Sequence, residues 1–308
     1  MIKIKALKPG DTIGIICPAS KADMASSRLP KMEEILSGWG FEVRYGASCY
    51  QEDGYLAGTD EARRQDLEAM FLDSSIDAIL CLKGGYGTSR FVDQIDYSLI
   101  KKHPKLLIGF SDITVLLNNI FIRSDIATLH GQVGIFLGSP AQDTASLEDF
   151  HVAVSQPMKG RVLSSPAQTM VGGVVRGRLV GGNLSLIAHL VGTPYDIPFK
   201  NHIVFIEEVN ESPYEIDRML TQLRLSGKLN DASGFVIGHM TDCQGKSPTK
   251  RTTDYLFEEF LKPLGKPVLT HFASGHEFPF INLPIGLEII LDADQQTITI
   301  LEELYEEN

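Results

Sequence analysis

The sequence of 308 residues predicts an α/β protein, with an open, mostly parallel sheet in its first half and a smaller mixed α/β domain in its second half. Short β-branched runs alternate with amphipathic helical stretches from Thr12 to about Arg123, which is the pattern of parallel strands joined by crossover helices. The length suits two domains of roughly 150 residues each. Between about Ser139 and Thr169 the periodicity weakens and Ser, Pro, Gln and Gly become more frequent, as expected of a connection.

We therefore predict an amino-terminal α/β domain over residues 1–140, an interdomain connection over 141–170 and a carboxy-terminal domain over 171–308. In open α/β sheets the functional groups collect in loops beyond the carboxyl ends of the strands, where helix amino termini also point. Two loops of the first domain are placed in this way, Lys83–Gly87 and Phe110–Asp112. We expect both to open on one edge of the sheet.

The elements of the first half follow from hydrophobic periodicity and from helix start and stop signals. Gly40 ends the first helix, and Asp60 and Glu61 favour the amino terminus of the second. The predicted elements are a strand over 12–18, a helix over 26–40, a strand over 41–46, a helix over 59–74, a strand and glycine loop over 76–87, a helix over 88–95, a strand over 104–110 and a helix over 111–123.

The second half repeats the alternation of strands and helices and ends in a pair of strands. The predicted elements are an alternating unit over 174–192, a strand over 202–208, a helix over 212–227, a strand over 234–239, a helix over 252–265 and two strands around an Asp-containing turn within 284–303.

Composition and charge exclude several classes of protein. The hydrophobic fraction of 43% and the charged fraction of 22% are those of a soluble globular protein. No run approaches the roughly 20 apolar residues that cross a bilayer, and the amino terminus lacks a secretory h-region, so we expect a cytoplasmic protein without a membrane partner. A net charge of −11 disfavours nucleic acid as a partner. The acidic end, LEELYEEN, is predicted to be a solvated tail.

The four cysteines, Cys17, Cys49, Cys81 and Cys243, are widely scattered and predict neither a disulfide framework nor a metal site. Three of them lie in apolar, strand-like or strand-end surroundings, where free cysteine behaves as a small buried hydrophobe. His239 and Cys243 are close in sequence, but two ligands without a second pair are better explained as core or loop residues.

Ser111 is the candidate nucleophile of the first half. It follows an apolar strand and precedes a helix, so its hydroxyl is predicted to lie on a sharp strand-to-helix turn, the geometry of a nucleophile elbow. The alternative is an ordinary helix N-cap, since serine accepts a backbone N–H bond there and Asp112 suits the helix dipole. The local sequence leaves both interpretations open.

The loop KGGYGTSR has glycines that let backbone N–H groups approach a phosphate or a developing oxyanion. It lacks the spacing of a P-loop and of a dinucleotide-binding fingerprint, so a nucleotide site is the weaker functional interpretation. A plain tight turn remains an equal alternative.

An acid and a histidine of the second half could complete a catalytic site. Glu207 and Glu208 end the strand HIVFIEE, where a carboxylate could orient a histidine, although such acids are often solvated. His276 lies in a loop rich in Gly, Pro and Asn rather than on a periodic apolar face. The competing histidines, all at predicted strand ends, are His130, His239 and His271. Periodicity chooses neither the acid nor the histidine.

Seven strings in register resemble the LD-carboxypeptidase family, the serine peptidases that include the muramoyltetrapeptide carboxypeptidases and the microcin-C immunity peptidases. The strings run along nearly the whole chain: GDTIGIICPAS, YLAGTDEARRQDL, KGGYGTSR, LLIGFSDIT, RGRLVGGNLSLI, FIEEVNESPYEIDRML and SGHEFPFINLPIG. The glycine loop and the length place the resemblance closer to the muramoyltetrapeptide carboxypeptidase branch.

The resemblance implies roles for five residues. It makes Ser111 the nucleophile, His276 the base and Glu207, rather than Glu208, the acid that orients it. The backbone N–H groups of Gly85 and Asp112 are then the oxyanion hole. No cofactor and no metal are implied.

The resemblance also implies a flavodoxin-like first domain, an active site between the two domains, a murein tetrapeptide losing its terminal D-Ala as substrate, and a homodimer. Alternatives are hydrolysis of a peptidyl-nucleotide or another small amide, and a non-catalytic protein that binds a ligand between two lobes. Lys83 stands where arginine is frequent in relatives, and Gln132-Val133 where proline is frequent; both bear on substrate contacts.

Overall fold

The computed structural model describes residues 1–244 and 250–306, which form two compact units. The first unit contains Met1–Met158, Phe280–Gly286 and the described residues 303–306; the second contains Lys159–Pro279 and Leu287–Glu302. The predicted second domain, 171–308, differs from this division because two late segments return to the first unit.

The first unit alternates strands and helices. Its strands before residue 158 are β1 (Thr12–Ile16), β2 (Glu42–Tyr45), β3 (Ala78–Cys81), β4 (Leu106–Gly109) and β5 (Thr128–His130). Its helices are α1 (Arg28–Gly38), α2 (Asp60–Leu72), α3 (Tyr97–Lys102), α4 (Thr114–Ser124), α5 (Gly134–Leu137) and α6 (Thr144–Ser155), with 3-10 turns at Ala47–Tyr50, Thr88–Arg90 and Ser111–Ile113.

The rest of the chain supplies the second unit and one more strand of the first. Its strands are β6 (Val162–Ser164), β7 (Gln168–Val171), β8 (Val174–Asn183), β9 (His202–Val209), β10 (Gly234–Thr241), β11 (Val268–Thr270), β12 (Leu283–Ile285, in the first unit), β13 (Glu288–Asp292) and β14 (Thr297–Ile300). Its helices are α7 (Leu184–Leu190), α8 (Pro213–Leu225), α9 (Lys228–Asp231) and α10 (Thr253–Leu261), with a 3-10 turn at Lys262–Leu264.

The sheet of the first unit confirms the predicted open parallel sheet. Its strand order is β12-β5-β4-β3-β1-β2. The five strands β2-β1-β3-β4-β5 are parallel, and their order is the doubly wound order of flavodoxin-like folds. Strand β12 adds antiparallel to β5, with Leu283 opposite His130, which explains why this late segment belongs to the first unit. All residues of β1, β3, β4 and β5 are buried, as expected of a sheet covered on both faces.

The sheet of the second unit is mixed, as predicted. Its order is β6-β14-β13-β8-β9-β10-β11-β7, in which β8, β9, β10 and β11 are parallel and the outer pairs are antiparallel. Strands β13 and β14 are the predicted pair around an Asp-containing turn. The core of this unit lies along β9 and β10, whose central residues are fully buried.

The predicted helix over 88–95 is wrong. Only Thr88–Arg90 forms a 3-10 turn there, and the helix in this region is α3. Asp96 sets its start, because the carboxylate of Asp96 accepts the N–H groups of Ser98 and Leu99, both at 3.0 Å.

The predicted connection over 141–170 contains a regular helix, α6, which the weak periodicity did not reveal. The side chain of Asp143 caps it by accepting the N–H of Ser146 at 3.0 Å. Phe150 and Val154 are buried, so packing stabilises a helix whose flanking segments, 139–142 and 155–157, contain the Ser, Pro and Gln residues typical of a connection.

The acidic end of the chain is not the predicted solvated tail as far as residue 306. Leu304 and Tyr305 are buried, and Tyr305 pairs with Ile4 in a parallel bridge. The glutamates on either side of Leu304 and Tyr305 explain why the sequence of this segment resembles a charged tail.

Two further predictions concern cysteines and membrane segments. All four cysteines are buried and free. In the described parts of the chain, no helix combines the length and the apolar character that crossing a bilayer requires.

Candidate active site

The serine turn of the first unit lies directly after β4. Ser111 opens the 3-10 turn Ser111–Ile113 with a φ of +63°, in the left-handed region that non-glycine residues rarely occupy. A strained strand-to-helix turn of this kind is the geometry of a nucleophile elbow. The helix-cap alternative fails, because the N-cap residues of the 3-10 turn and of α4 are Phe110 and Ile113, and Ser111 lies inside the turn.

The hydroxyl of Ser111 is half-buried. Among the described residues of its own unit, none forms a hydrogen bond with it. The hydroxyl is therefore not used in holding this unit together, and it can donate its proton to a base.

The glycine loop approaches the serine turn closely. A Cβ built on Gly84 would lie 3.1 Å from Ser111 Oγ and 2.9 Å from Ser111 Cβ, so only glycine fits here without displacing the serine. Gly85 has a φ of +110°, and a Cβ there would collide with the Ser20 side chain. Ser20 Oγ accepts the N–H of Tyr86 at 3.1 Å and so holds the loop from below. These contacts favour the binding loop over the plain turn.

The N–H groups predicted to form the oxyanion hole are free to act in this way. In the described part of the first unit, no acceptor takes the N–H of Gly85. Asp112 is the second residue of its 3-10 turn, where helix geometry leaves N–H groups without partners in the turn.

Arg63 is a residue of this site that the sequence did not single out. Its side chain is fully buried beneath the glycine loop, and its Nη1 donates to the carbonyls of Gly87 at 2.9 Å and Pro18 at 2.8 Å. It also pairs with Asp60. The sequence gives no sign of this burial, because an arginine on an amphipathic helix is normally solvated.

Glu207 and His276, both in the second unit, are brought together by the structure. Glu207 lies near the end of β9 and is completely buried, and its Oε2 lies 2.6 Å from Nδ1 of His276. The side chain of His276 is 15% exposed, so its ring keeps access to solvent. Gly275 has a φ of +134°, and a Cβ there would come within 3.2 Å of Glu207 Oε2, so glycine permits this approach.

The electrostatics of this pair suit a general base. Burial disfavours the charged form of His276, but the negative charge of Glu207 and its hydrogen bond outweigh burial and raise the pKa of His276. We assign the Nδ1 proton to the bond with the carboxylate, because an ionised carboxylate only accepts. Nε2 is then the atom that can take a proton from a nucleophile.

Glu208 has a different task from its neighbour. Its Oε1 accepts the side-chain N–H of Asn183 at 2.8 Å, and its Oε2 accepts the N–H of Ser185 at 2.7 Å. Burial raises the pKa of Glu208. These bonds fix the start of α7 to the end of β9, which is a structural role.

Among the described residues, none of the three competing histidines forms a hydrogen bond with Glu207. His271 is 46% exposed and lies 3.5 Å from Asp254. His239 lies within the register shift between Ile237 and Met240 on β10, near Glu207 and His276, and burial lowers the pKa of its imidazole. His130 is buried in the first unit against aromatic rings.

A metal centre is not indicated by the described residues. Across 1–244 and 250–306, no three His, Cys, Asp or Glu side chains are grouped so as to hold a metal ion.

Comparison with known proteins identifies the family. Residues 13–131 match the LD-carboxypeptidase N-terminal domain, and residues 176–291 match the LD-carboxypeptidase C-terminal domain. A probable murein peptide carboxypeptidase of Bacillus subtilis is 37% identical, over 97% of this chain and 94% of the relative. A murein tetrapeptide carboxypeptidase of Pseudomonas aeruginosa is 30% identical, over 92% of this chain and 94% of the relative.

Solved structures agree with this result. The muramoyltetrapeptide carboxypeptidase of Oxalobacter formigenes superposes with a TM-score of 0.82 at 27% identity, over 96% of this chain and all of the other. The microcin C7 self-immunity protein MccF, solved with glutamyl sulfamoyl guanosine, superposes with a TM-score of 0.92 at 25% identity, over 99% of this chain and all of the other. The chain thus belongs to the LD-carboxypeptidase family and is a serine-type carboxypeptidase, a hydrolase of peptide bonds.

Proposed function

We propose that this enzyme releases the terminal D-Ala from a murein tetrapeptide, by cutting the bond between the L-centre of the diamino residue and D-Ala. The substrate is supported by the two relatives named as murein peptide carboxypeptidases, which match nearly the whole chain. The chemistry is carried by one observation, the buried Glu207–His276 hydrogen bond of 2.6 Å. A carboxylate that orients an imidazole is what a serine nucleophile needs in its base.

In the proposed mechanism, the residues of both units act as one triad. His276 Nε2 takes the Ser111 proton as the hydroxyl oxygen attacks the last peptide carbonyl. The Gly85 and Asp112 N–H groups stabilise the oxyanion. His276 then gives its proton to the leaving amine of D-Ala, and an acyl-enzyme remains. Water attacks this ester with His276 again as base. His276 then returns the proton to the departing Ser111 oxygen, which frees the serine and releases the shortened peptide.

A second candidate function is the hydrolysis of an aminoacyl-nucleotide analogue or another small amide with the same triad. It is favoured by the likeness to MccF, whose TM-score of 0.92 exceeds the 0.82 of the muramoyltetrapeptide carboxypeptidase. The greater sequence identity of the murein peptide carboxypeptidase, 37% against 26% for MccF, favours the first candidate.

A substrate panel separates the two candidates. The purified enzyme is incubated with a murein tetrapeptide, the matching pentapeptide and an aminoacyl sulfamoyl adenylate, and the products are followed by mass spectrometry. The proposal expects release of D-Ala from the tetrapeptide at a kcat/KM at least 100-fold above that for the other two substrates. Preference for the adenylate would replace it with the second candidate.

The cytoplasmic location and the homodimer stay predictions. Sedimentation equilibrium at micromolar concentration measures the second directly, with an expected mass of twice the 33.9 kDa of the chain. Fractionation of the source cells tests the first.

A further inference from the structure

We propose that the side chain of Asp112 is a positioning group, which ties the glycine loop to the serine turn and thereby places the Gly85 N–H in the oxyanion hole. The inference rests on the proposed function for the role of that N–H. It assigns a task to the carboxylate of Asp112, in addition to the task of its backbone.

The carboxylate of Asp112 bonds directly to the end of the glycine loop. Its Oδ2 accepts the N–H of Thr88 at 2.9 Å, and the Thr88 hydroxyl donates to the carbonyl of Asp112 at 2.7 Å. This pair of bonds joins the residue after Ser111 to a residue three positions after Gly85. The two loops cannot separate without breaking both bonds.

The connection is deeply buried. Asp112 and Thr88 have no exposed surface, and burial raises the pKa of Asp112, against the opposing effect of the Thr88 bonds. Its other oxygen, Oδ1, has no hydrogen-bond partner among the described residues. A buried carboxylate that is incompletely bonded costs stability, so its presence beside a nucleophile suggests a function.

Arg63 also binds the glycine loop, through the carbonyl of Gly87. Its Nη1 donates to the carbonyl of Gly87 at 2.9 Å, one residue before Thr88, and a Cβ on Gly87 would come within 2.6 Å of that nitrogen. Its positive charge also favours the ionised form of Asp112. The loop is therefore held at adjacent residues, Gly87 and Thr88. Ser20 holds the residues on both sides of Gly85, since its N–H donates to the Gly84 carbonyl at 3.4 Å and its Oγ accepts the Tyr86 N–H at 3.1 Å. The backbone at Gly85 therefore has little freedom to move.

The test uses a readout that depends on the oxyanion hole and not on the physiological substrate. A fluorophosphonate labels an activated serine, and its phosphoryl oxygen occupies the oxyanion hole in the transition state. We expect Asp112→Ala to slow labelling of Ser111 by about 100-fold, within the range for loss of one oxyanion donor. Asp112→Asn keeps an acceptor for the Thr88 N–H and is expected to stay within about tenfold of the unmodified enzyme. With a peptide substrate, kcat should fall and KM should change less than threefold.

Asp66 offers a matched control in the same unit. It is a buried carboxylate that accepts the backbone N–H groups of Ala47 at 3.0 Å and Ser48 at 2.9 Å, but it holds the 3-10 turn Ala47–Tyr50. Asp66→Ala and Asp112→Ala should both lower the melting temperature, but Asp66→Ala should leave the rate of labelling within about twofold of the unmodified enzyme. Equal slowing in both variants would show a general structural effect and overturn the inference.

Labelling of Asp112→Ala at the unmodified rate would also overturn it. If that variant does not fold, Asp112→Ser decides, because it removes the carboxylate that accepts the Thr88 N–H and keeps a polar atom in the buried site. We expect labelling about tenfold slower, and an unchanged rate contradicts the inference. Failure of the proposed function is distinguishable, since it appears as absence of D-Ala release from unmodified enzyme that still reacts with the fluorophosphonate.

Discussion

The two units present their functional groups by different physical means. In the first unit the backbone carries the features: a serine at positive φ, and a glycine, Gly84, on which a Cβ would lie 2.9 Å from the serine Cβ. In the second unit two side chains carry them, a fully buried carboxylate and an imidazole 2.6 Å apart. We therefore expect kcat to depend on side-chain volume near the serine turn and on side-chain charge in the acid–histidine pair.

The largest effect should come from removing the nucleophile. Ser111→Ala is expected to lower kcat for D-Ala release by at least about 10⁴-fold, since loss of a catalytic serine removes the covalent route. Stability should change little, because alanine meets the same backbone strain at φ +63°. End-point assays of released D-Ala measure the loss of kcat, and calorimetry measures whether the variant still binds the peptide. Retained turnover would show that Ser111 is not the nucleophile.

Charge in the second unit is tested by two neighbouring glutamates. Glu207→Gln keeps the volume but removes the charge that orients and stabilises the His276 ring, and we expect kcat to fall by about 10³-fold to 10⁴-fold. Glu208→Gln is the matched control. It should keep kcat within about fivefold and lower the free energy of unfolding by about 1–3 kcal/mol, because it weakens the bonds to Asn183 and Ser185. The reverse pattern would exchange the roles of the two acids.

Volume in the first unit is tested by two glycines. Gly84→Ala places a methyl group 3.1 Å from Ser111 Oγ and should lower kcat by about 10-fold to 100-fold through displacement of the nucleophile. Gly38→Ala is the control, since no atom lies within 4 Å of a Cβ there and the residue ends α1. It should leave kcat unchanged and stabilise the protein slightly. Similar losses in both variants would contradict a specific approach of the loop to the serine.

The pH dependence should give the smallest effect. In the proposed mechanism activity requires neutral His276, whose pKa is raised, so kcat/KM should fall as pH drops through a midpoint above the ordinary value of about 6.5. Glu207→Gln should move this midpoint down. The stabilisation from this pair depends on pH in the opposite direction. The attraction between protonated His276 and Glu207 is fully present below about pH 6.5 and is lost as pH rises through the folded-state pKa. Rate profiles and thermal melts over pH 5–9 measure both, and an unchanged midpoint in Glu207→Gln would contradict the assigned cause.

Much of the fold could be predicted from hydrophobic periodicity, because parallel strands buried on both faces give continuous apolar runs. Elements whose existence depends on packing or on one cap were missed. Helix α6 lies in a stretch of weak periodicity and is capped by Asp143, and Asp96 caps α3, which begins after the predicted helix over 88–95. The return of β12 to the first sheet depends on pairing with β5, which no local pattern encodes.

For the candidate site, the sequence indicates residue types at strand ends but not their contacts. Periodicity left Glu207 and Glu208 equivalent, and only the structure shows that Glu208 bonds to the start of α7 whereas Glu207 meets His276. Arg63 was missed because its burial depends on carbonyl groups from distant loops. The positive φ of Ser111 is likewise a property of the folded turn.

The central claim is that the Glu207–His276 pair of the second unit activates Ser111 of the first. The most direct measurement is the rate at which a fluorophosphonate labels Ser111, located by peptide mass spectrometry, in the unmodified enzyme and in His276→Ala. The account predicts labelling at Ser111 that slows by at least about 100-fold in the variant, the scale of positioned general-base catalysis. Labelling of Ser111 at the same rate in both proteins would contradict it.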